Sequence, residues 1–573
     1  MTLPRLYEEV TLRTYADIRY VNGRPSGYGS GSPFAMGLNT LVSRNFTDYV
    51  QTFRVIGEWR EHDVDDYSKG RVPDNSMVLQ IAMRAALDKM KNLKAFAWEL
   101  NTKPLQTVYE GLMQKPSLTS LTLRFPSRRI PRPTAVIPPL PNLITLICYD
   151  IDPLSSPDNI SLLLLTSKKL LNLKLHFNPR MRETGEESIQ LSTFFGRCMA
   201  AGHSIQLKRM AFYNLYCRNQ GDGFEKVINP RAVEEVTFIN SMGSSDPMTV
   251  FLDDTWRLNS NQPVPENMKM LRVDAVEPEQ VTMLTKFHGL ERFYIVSKPN
   301  ISKTSSAAQT PTSPSSTSTP ATVNGNTINT NNPLCGSAQT PRPITEGECK
   351  SVAGDYLAAI QSNHRTMRHL LLSDHWIMSD DALFKICQTL PRLEQLGFAC
   401  TVPAMESLRH IVSLVPNLWA IRLLVPPGSS LQIQIDTMDI EMHKFALATE
   451  MWRPEYDRLK YVGLGNKAFK LGGVVWPKGK VGAEANGEQK ELPFSGRGVA
   501  SLRRGPIRMM ELIDPARLSW IEIWGMDSLE FEAKFPACGV ILAGATGGTS
   551  LVLPMDNPQL ISKATSMIVD PQE

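Results

Sequence analysis

Three histidines, His364, His369 and His375, fall within the stretch HRTMRHLLLSDHW. Imidazole nitrogens can ligate a metal or carry a proton, but a helical zinc pair needs i, i+4 spacing. Here the group straddles a run of leucines with strand character, so structural roles are expected for all three. Two glycine-rich stretches, LAGATGGTSLV at 542–552 and GLGNKAFKLGG at 463–473, invite comparison with phosphate loops. Neither has the G-x-x-x-x-G-K-[ST] spacing whose backbone amides and lysine cradle a phosphate. No G-x-S-x-G or H-E-x-x-H occurs. RRIPRP at 128–133 and the pair Arg503 and Arg504 are short basic clusters of the kind found on solvated loops. No catalytic residue, metal or cofactor is assigned on this basis. The chemistry that remains is that of contact. Arg272, Arg292, Tyr294, Trp419, Arg422 and Trp520 are of the residue types that anchor protein interfaces. Whether they share a surface depends on the elements that carry them.

One phrase recurs along the chain: apolar, two variable, apolar, one variable, apolar. Its clearest copies are KNLKAFAW, PSLTSLTL, PNLITLIC, KKLLNLKL, PRLEQLGF and PNLWAIRL. Weaker copies start at Leu207, Val233, Met268, Leu290, Met367, Leu459 and Leu518, with an earlier one around Val50, Phe53 and Val55. Leu93, Leu118 and Leu143 are 25 residues apart, as are Leu393 and Leu418. That period lies within the 20–29 residues of leucine-rich repeats. Between the phrases run helical patterns such as Val78, Ile81, Ala82 and Ala85, or Leu383, Ile386, Cys387 and Leu390.

The expected fold is therefore α/β: an irregular leucine-rich-repeat solenoid, with parallel strands on a concave face and helices outside. The competing expectation is an ordinary α/β domain with several similar strands. The Asn or Cys ladder of regular repeats is mostly missing, with only Asn101 and Asn178 in that slot. Side chains alternate along a strand, so the variable residue between the last two apolar positions projects from the concave face. It is Ala97, Thr122, Ile147 and Lys174 in early copies, then Arg272, Tyr294, Leu371, Gly397, Arg422 and Glu522. Arg292, Trp419, Lys460 and Trp520 occupy other variable slots nearby. A protein substrate on this face is the expected partner.

Composition narrows the partners further. The chain has 573 residues, 42% of them hydrophobic, and a formal charge of +4 from 61 basic and 57 acidic side chains. Nucleic acid and anionic membrane call for a clear basic excess, so neither is expected. No secretory signal is legible, and the best apolar stretch, 537–553, is short and rich in Gly and Thr. Eight scattered cysteines without a C-x-x-C pair suit reduced thiols in a cytoplasmic or nuclear protein. Residues 301–345 are mostly Ser, Thr, Pro and Asn and read as a disordered insertion. Within it Thr310, Ser313, Thr319 and Thr340 each precede proline. A second stretch, 478–508, reads as a surface loop. The expected organisation is a border segment at 1–20, repeats at 21–300, the insertion at 301–345, repeats at 346–525 and a cap or tail at 526–573.

The opening LPRLYEEVTLRTYADIRY resembles the junction after the F-box in fungal F-box/leucine-rich-repeat proteins. There the last F-box helix leads into a Leu-Tyr pair and a first strand, as Leu6 and Tyr7 lead toward Val10 and Leu12 here. NFTDYVQTFRVIG at 45–57 resembles the next strand of that family. The resemblance implies the substrate receptor of an SCF-type, cullin-RING ubiquitin ligase, a non-catalytic subunit whose repeats hold the substrate. The F-box itself, about 40 residues in the family, is not in this sequence. A Skp adaptor and cullin are thus expected only if an F-box stands upstream of Met1. The alternative is a stand-alone leucine-rich-repeat scaffold outside any ubiquitin ligase.

Overall fold

A computed structural model describes residues 3–14, 19–21, 24–26, 33–59, 66, 69–125, 135–151, 157–177, 192–213, 224–239, 266–274, 278–296, 346–374, 376–400, 405–426, 429–476 and 505–527. The chain divides into two compact units, Met1–Ser528 and Leu529–Glu573, and the described residues all lie in the first. The insertion at 301–345, the glycine-rich stretch at 542–552 and His375 fall outside them.

The first unit is built on a 16-stranded sheet, parallel except at its last two pairings. It begins with Glu9–Thr14, Thr52–Gly57, Ala95–Leu100, Ser120–Arg124, Thr145–Ile151 and Asn172–Phe177. Arg209–Tyr213, Glu235–Ile239, Met270–Val273, Arg292–Ile295 and His369–Leu371 follow. Gln395–Ala399, Ala420–Leu424, Tyr461–Leu464, Lys467–Val475 and Ile507–Ile513 complete it. Each strand pairs with the next in chain order, as expected of an α/β solenoid. A small separate hairpin joins Arg19–Val21 to Arg24–Ser26.

Helices fall near the places the 3.6-residue pattern gives, among them Asp74–Lys89, Gln106–Met113, Glu346–Asn363, Asp380–Thr389 and Met405–Leu414. In Asp74–Lys89, however, the buried face is Leu79, Met83, Ala86 and Leu87, while Val78 and Ile81 of the expected stripe are exposed. Ser379 caps one of them, its hydroxyl accepting from the Ala382 amide, with Asp380 and Asp381 in the first turn. Helix residues such as Leu87, Leu112, Ile386 and Ile411 pack with the apolar strand positions Phe96, Trp98, Leu121, Leu146, Leu396 and Ile421 in one continuous core. Burying each such side chain contributes roughly 1.5–3 kcal/mol, and no single unit could bury its own. Among the described residues no helix is long and apolar enough to cross a membrane.

The Asn that precedes several strands has a structural reason. Asn92 Nδ2 donates to Asp48 O, Asn142 to Pro116 O and Asn267 to Arg231 O, each two residues before the preceding unit's first apolar position. Arg458 reaches Pro416 O in the same way. This ladder at the strand entry ties neighbouring units together where the usual Asn ladder is sparse. Asn101, in the usual slot, accepts from the Trp59 amide at 2.6 Å.

Two sequence expectations need correction. The stretch 478–508 is not loop to its end, because Ile507–Ile513 forms the final, antiparallel strand. Arg508 at its start is buried, and donates to the carbonyls of Tyr456, Leu459 and Gly472. The copy starting at Leu518 is not a strand at all. Pro515–Leu518 is a 3-10 turn and Glu522–Gly525 a one-turn helix, and neither joins the sheet.

Candidate protein-binding face

Strand register brings the predicted projecting residues into one row. Arg54, Ala97, Thr122, Ile147, Lys174, Ala211, Thr237, Arg272, Tyr294, Leu371, Gly397, Arg422 and Gly463 are successive cross-strand partners. They point away from the helices, because the strand residues on either side of them fill the helix-packed core. Two positions earlier runs a parallel row that includes Glu235, Met270, Arg292, His369, Gln395 and Ala420. Five of the six anchor candidates thus sit on, or next to, strands of this helix-free face.

From Met270–Val273 to Tyr461–Leu464 the face is covered by the chain's own segment 515–527. Leu518, Ile521, Ile523 and Trp524 bury themselves against Met270, Tyr294, Leu371, Ala399, Ala420 and Leu424, a second core on the side of the sheet opposite the helices. Gly463 makes the approach possible, since a Cβ there would stand 2.8 Å from Trp524 Cζ2. Gly525 closes the turn, where a Cβ would lie 2.1 Å from Ser519 O.

The polar contacts are equally directed. Arg292 joins Glu235 at 2.7 Å and Glu522 at 3.2 Å. Glu522 Oε2 accepts from the Tyr294 hydroxyl and stands 2.5 Å from His369 Nδ1. Glu394, chelated by Arg368, lies 3.7 Å from the other ring nitrogen of His369. Arg272, only 1% exposed, donates to Met526 O at 2.7 Å and to Tyr213 OH at 3.0 Å. Arg422 donates to Ile523 O at 2.8 Å, pairs with Asp527 at 2.7 Å and lies over the Trp524 ring. Arg422 and Arg272 therefore satisfy carbonyls at the end of the short helix, where cations are favoured. The Gln395 side chain accepts from the Ile523 amide.

Charge states follow from this packing. Burial alone would raise the pKa of Glu522, but hydrogen bonds from His369 and Tyr294 and the charges of His369 and Arg292 outweigh it and hold it at about 2. Burial, with Glu522 beside it, pushes the Tyr294 hydroxyl well above its usual range. The Arg368 hydrogen bond holds Glu394 below the ordinary carboxylate range.

The six candidates therefore stand as follows. Arg272, Arg292, Tyr294 and Arg422 are engaged by segment 515–527 rather than projecting freely, because that segment supplies their acceptors. Trp419 stacks on Trp520 with ring centroids 5.9 Å apart and Tyr461 edge-on to both. Trp520 is itself part of the covering segment and remains 61% exposed. Of the histidines, His369 belongs to this cluster, while His364 is buried between units. The His364 Nε2 donates to Leu284 O and Nδ1 accepts from the Leu290 amide. No protein-family model matches the chain, and no curated protein matches it. Beside Asp527 lies a polar cavity of about 220 Å³, lined by Asp374, Asp436 and Arg422 among others.

Sequence reasoning placed Glu522 within the projecting row, whereas it lies on the one-turn helix that covers the row as a ligand of it, and it missed Asp527 altogether. Two signals were present: glycines at 397 and 463 in strand interiors, which imply close approach of another group, and arginines in a buried row, which need acceptors.

Proposed function

We propose that this chain is a protein-binding leucine-rich-repeat solenoid and the substrate-recognition part of an SCF-type ubiquitin ligase receptor. The observation that carries the binding reading is the occupancy of the helix-free face. Its second half holds a peptide segment by an apolar centre ringed with charge-assisted hydrogen bonds, the anatomy of a protein interface. The earlier positions Ala97, Ile147, Lys174 and Ala211 are half-buried and extend the same row. The ligase reading rests on the resemblance of the opening residues. Leu6 and Tyr7 precede the first strand of the sheet, and Tyr7 stacks on Phe46, with centroids 4.2 Å apart.

The test is affinity purification with mass spectrometry of two tagged forms, this chain and one extended upstream of Met1. Adaptor and cullin are expected with the extended form. If neither form recovers them, the ligase reading falls and a stand-alone scaffold remains. Arg292→Ala and Arg422→Ala, on the half of the face that holds segment 515–527, are expected to deplete substrate proteins from the extended form without depleting the adaptor. Unchanged recovery would contradict binding on this face.

A further inference from the structure

The covering segment does not cap the sheet. A cap closes the exposed core at the end of a repeat stack. Here that end already carries the antiparallel pair Lys467–Val475 and Ile507–Ile513. The segment then turns back and crosses strands in the middle of the sheet, its last residues reaching Arg272. Its own secondary structure is slight: one 3-10 turn and one turn of helix. What holds it is side-chain complementarity. Its acids, Glu522 and Asp527, meet Arg292, His369 and Arg422, and its Trp524 enters the space left by Gly463. The face is thus shaped for a short, acidic, tryptophan-bearing turn of helix.

We propose that segment 515–527 occupies this face as an internal ligand, and that the partner recognised there carries a like segment: an acid between two aliphatic residues, then tryptophan, then a second acid about three residues on. This deepens the protein-binding reading above and rests on it. The segment is tethered beside the face by the strand Ile507–Ile513, so a partner binds in competition with it. Release exposes Arg292, Arg422 and His369 around Tyr294 and Leu371, an apolar centre within a basic rim. A basic segment would meet like charge there, and a neutral one would leave Arg422 without its carboxylate.

The probe is a fluorescein-labelled peptide of residues 514–527, read by anisotropy against the full chain. In one variant Glu522→Ala, Trp524→Ala and Asp527→Ala together weaken the tethered copy. The peptide is expected to bind this variant at least tenfold more tightly than the native chain. A peptide carrying Glu522→Lys and Asp527→Lys is expected to lose at least tenfold. Equal binding to both chains, or binding to neither when the variant keeps a cooperative melt, overturns the proposal. Should the triple variant fail to fold, Asp527→Asn alone is expected to give intermediate affinity, and affinity equal to the native chain's overturns it. The two readings fail separately. Substrates recovered in the purification above with no peptide binding would remove this inference alone. Peptide binding without ligase components would keep it and remove the ligase reading.

Discussion

In the first half of the helix-free face, charged side chains pair with one another across neighbouring strands, Arg54 with Glu99 and Arg124 with Asp150 at 3.5 Å. In the second half, Arg272 and Arg422 turn to acceptors on segment 515–527, while Arg292 and His369 divide between that segment's Glu522 and the sheet's own Glu235 and Glu394. Both halves use the same strand-and-helix units over one continuous helix-side core. They differ in where the compensating charge comes from. A row that pairs its own charges needs no occupant. A row whose arginines are only partly matched by acids of the sheet gains most from an acidic occupant. The architecture is therefore uniform while the binding character is local.

The largest test of the shared architecture is Trp98→Ala, which empties a site in the helix-side core and removes the indole donor to Thr102 O. A loss of about 3–5 kcal/mol in urea unfolding is expected. A separate early transition for the first half alone would break the picture of one core. Arg54→Ala comes next. It leaves the Glu99 carboxylate, 2% exposed, without its guanidinium, and about 3 kcal/mol should be lost. This change should leave segment 515–527 undisturbed, so protection of Trp524 from fluorescence quenching should match the native chain.

Acid destabilises over two pH ranges, the upper one shared by both halves and the lower one confined to the second. Burial holds His176 in the first half at about 3 and His364 in the second at about 4, both below the ordinary 6.5. The unfolded chain takes up those protons first, so stability falls as pH drops from 6.5 toward 4 and is restored as pH rises. His364→Asn should flatten part of that slope in denaturation midpoints. Glu522 acts lower. Its pKa is depressed from 4.5 to about 2, so its contribution is complete above 4.5 and is lost as pH falls toward 2. Only the second half should loosen through that group, and Glu522→Gln should remove that part of the dependence. The smallest effect is expected of Trp520→Ala, about 1 kcal/mol or less, since the ring is mostly exposed and gives up chiefly its stacking on Trp419.

Much of this was legible in the sequence because strand spacing and side-chain alternation are local. The L-x-x-L-x-L phrases located the strands, and the variable position within each gave the row from Ala97 to Arg422. The phrase at Leu518 misled for the same reason. Leu518, Ile521 and Ile523 have the spacing of a repeat strand, and apolar spacing does not say which side of a sheet it will cover. Only the turn chemistry around it differed, with Asp514 accepting from the Ala516 amide and Pro515 opening a 3-10 turn. The pairing of Glu522 with Arg292 and of Asp527 with Arg422 joins residues far apart in the chain, and no local pattern carries it.

Hydrogen exchange with mass spectrometry on the full chain at neutral pH tests the central claim most directly. Peptides covering 518–527 should be protected to a degree comparable with His369–Leu371 and Gln395–Ala399. Glu522→Ala should raise exchange in 518–527 and in Arg292–Ile295 while leaving Ala95–Leu100 and Ser120–Arg124 unchanged. Free-peptide exchange rates across 518–527 in the native chain would contradict the account.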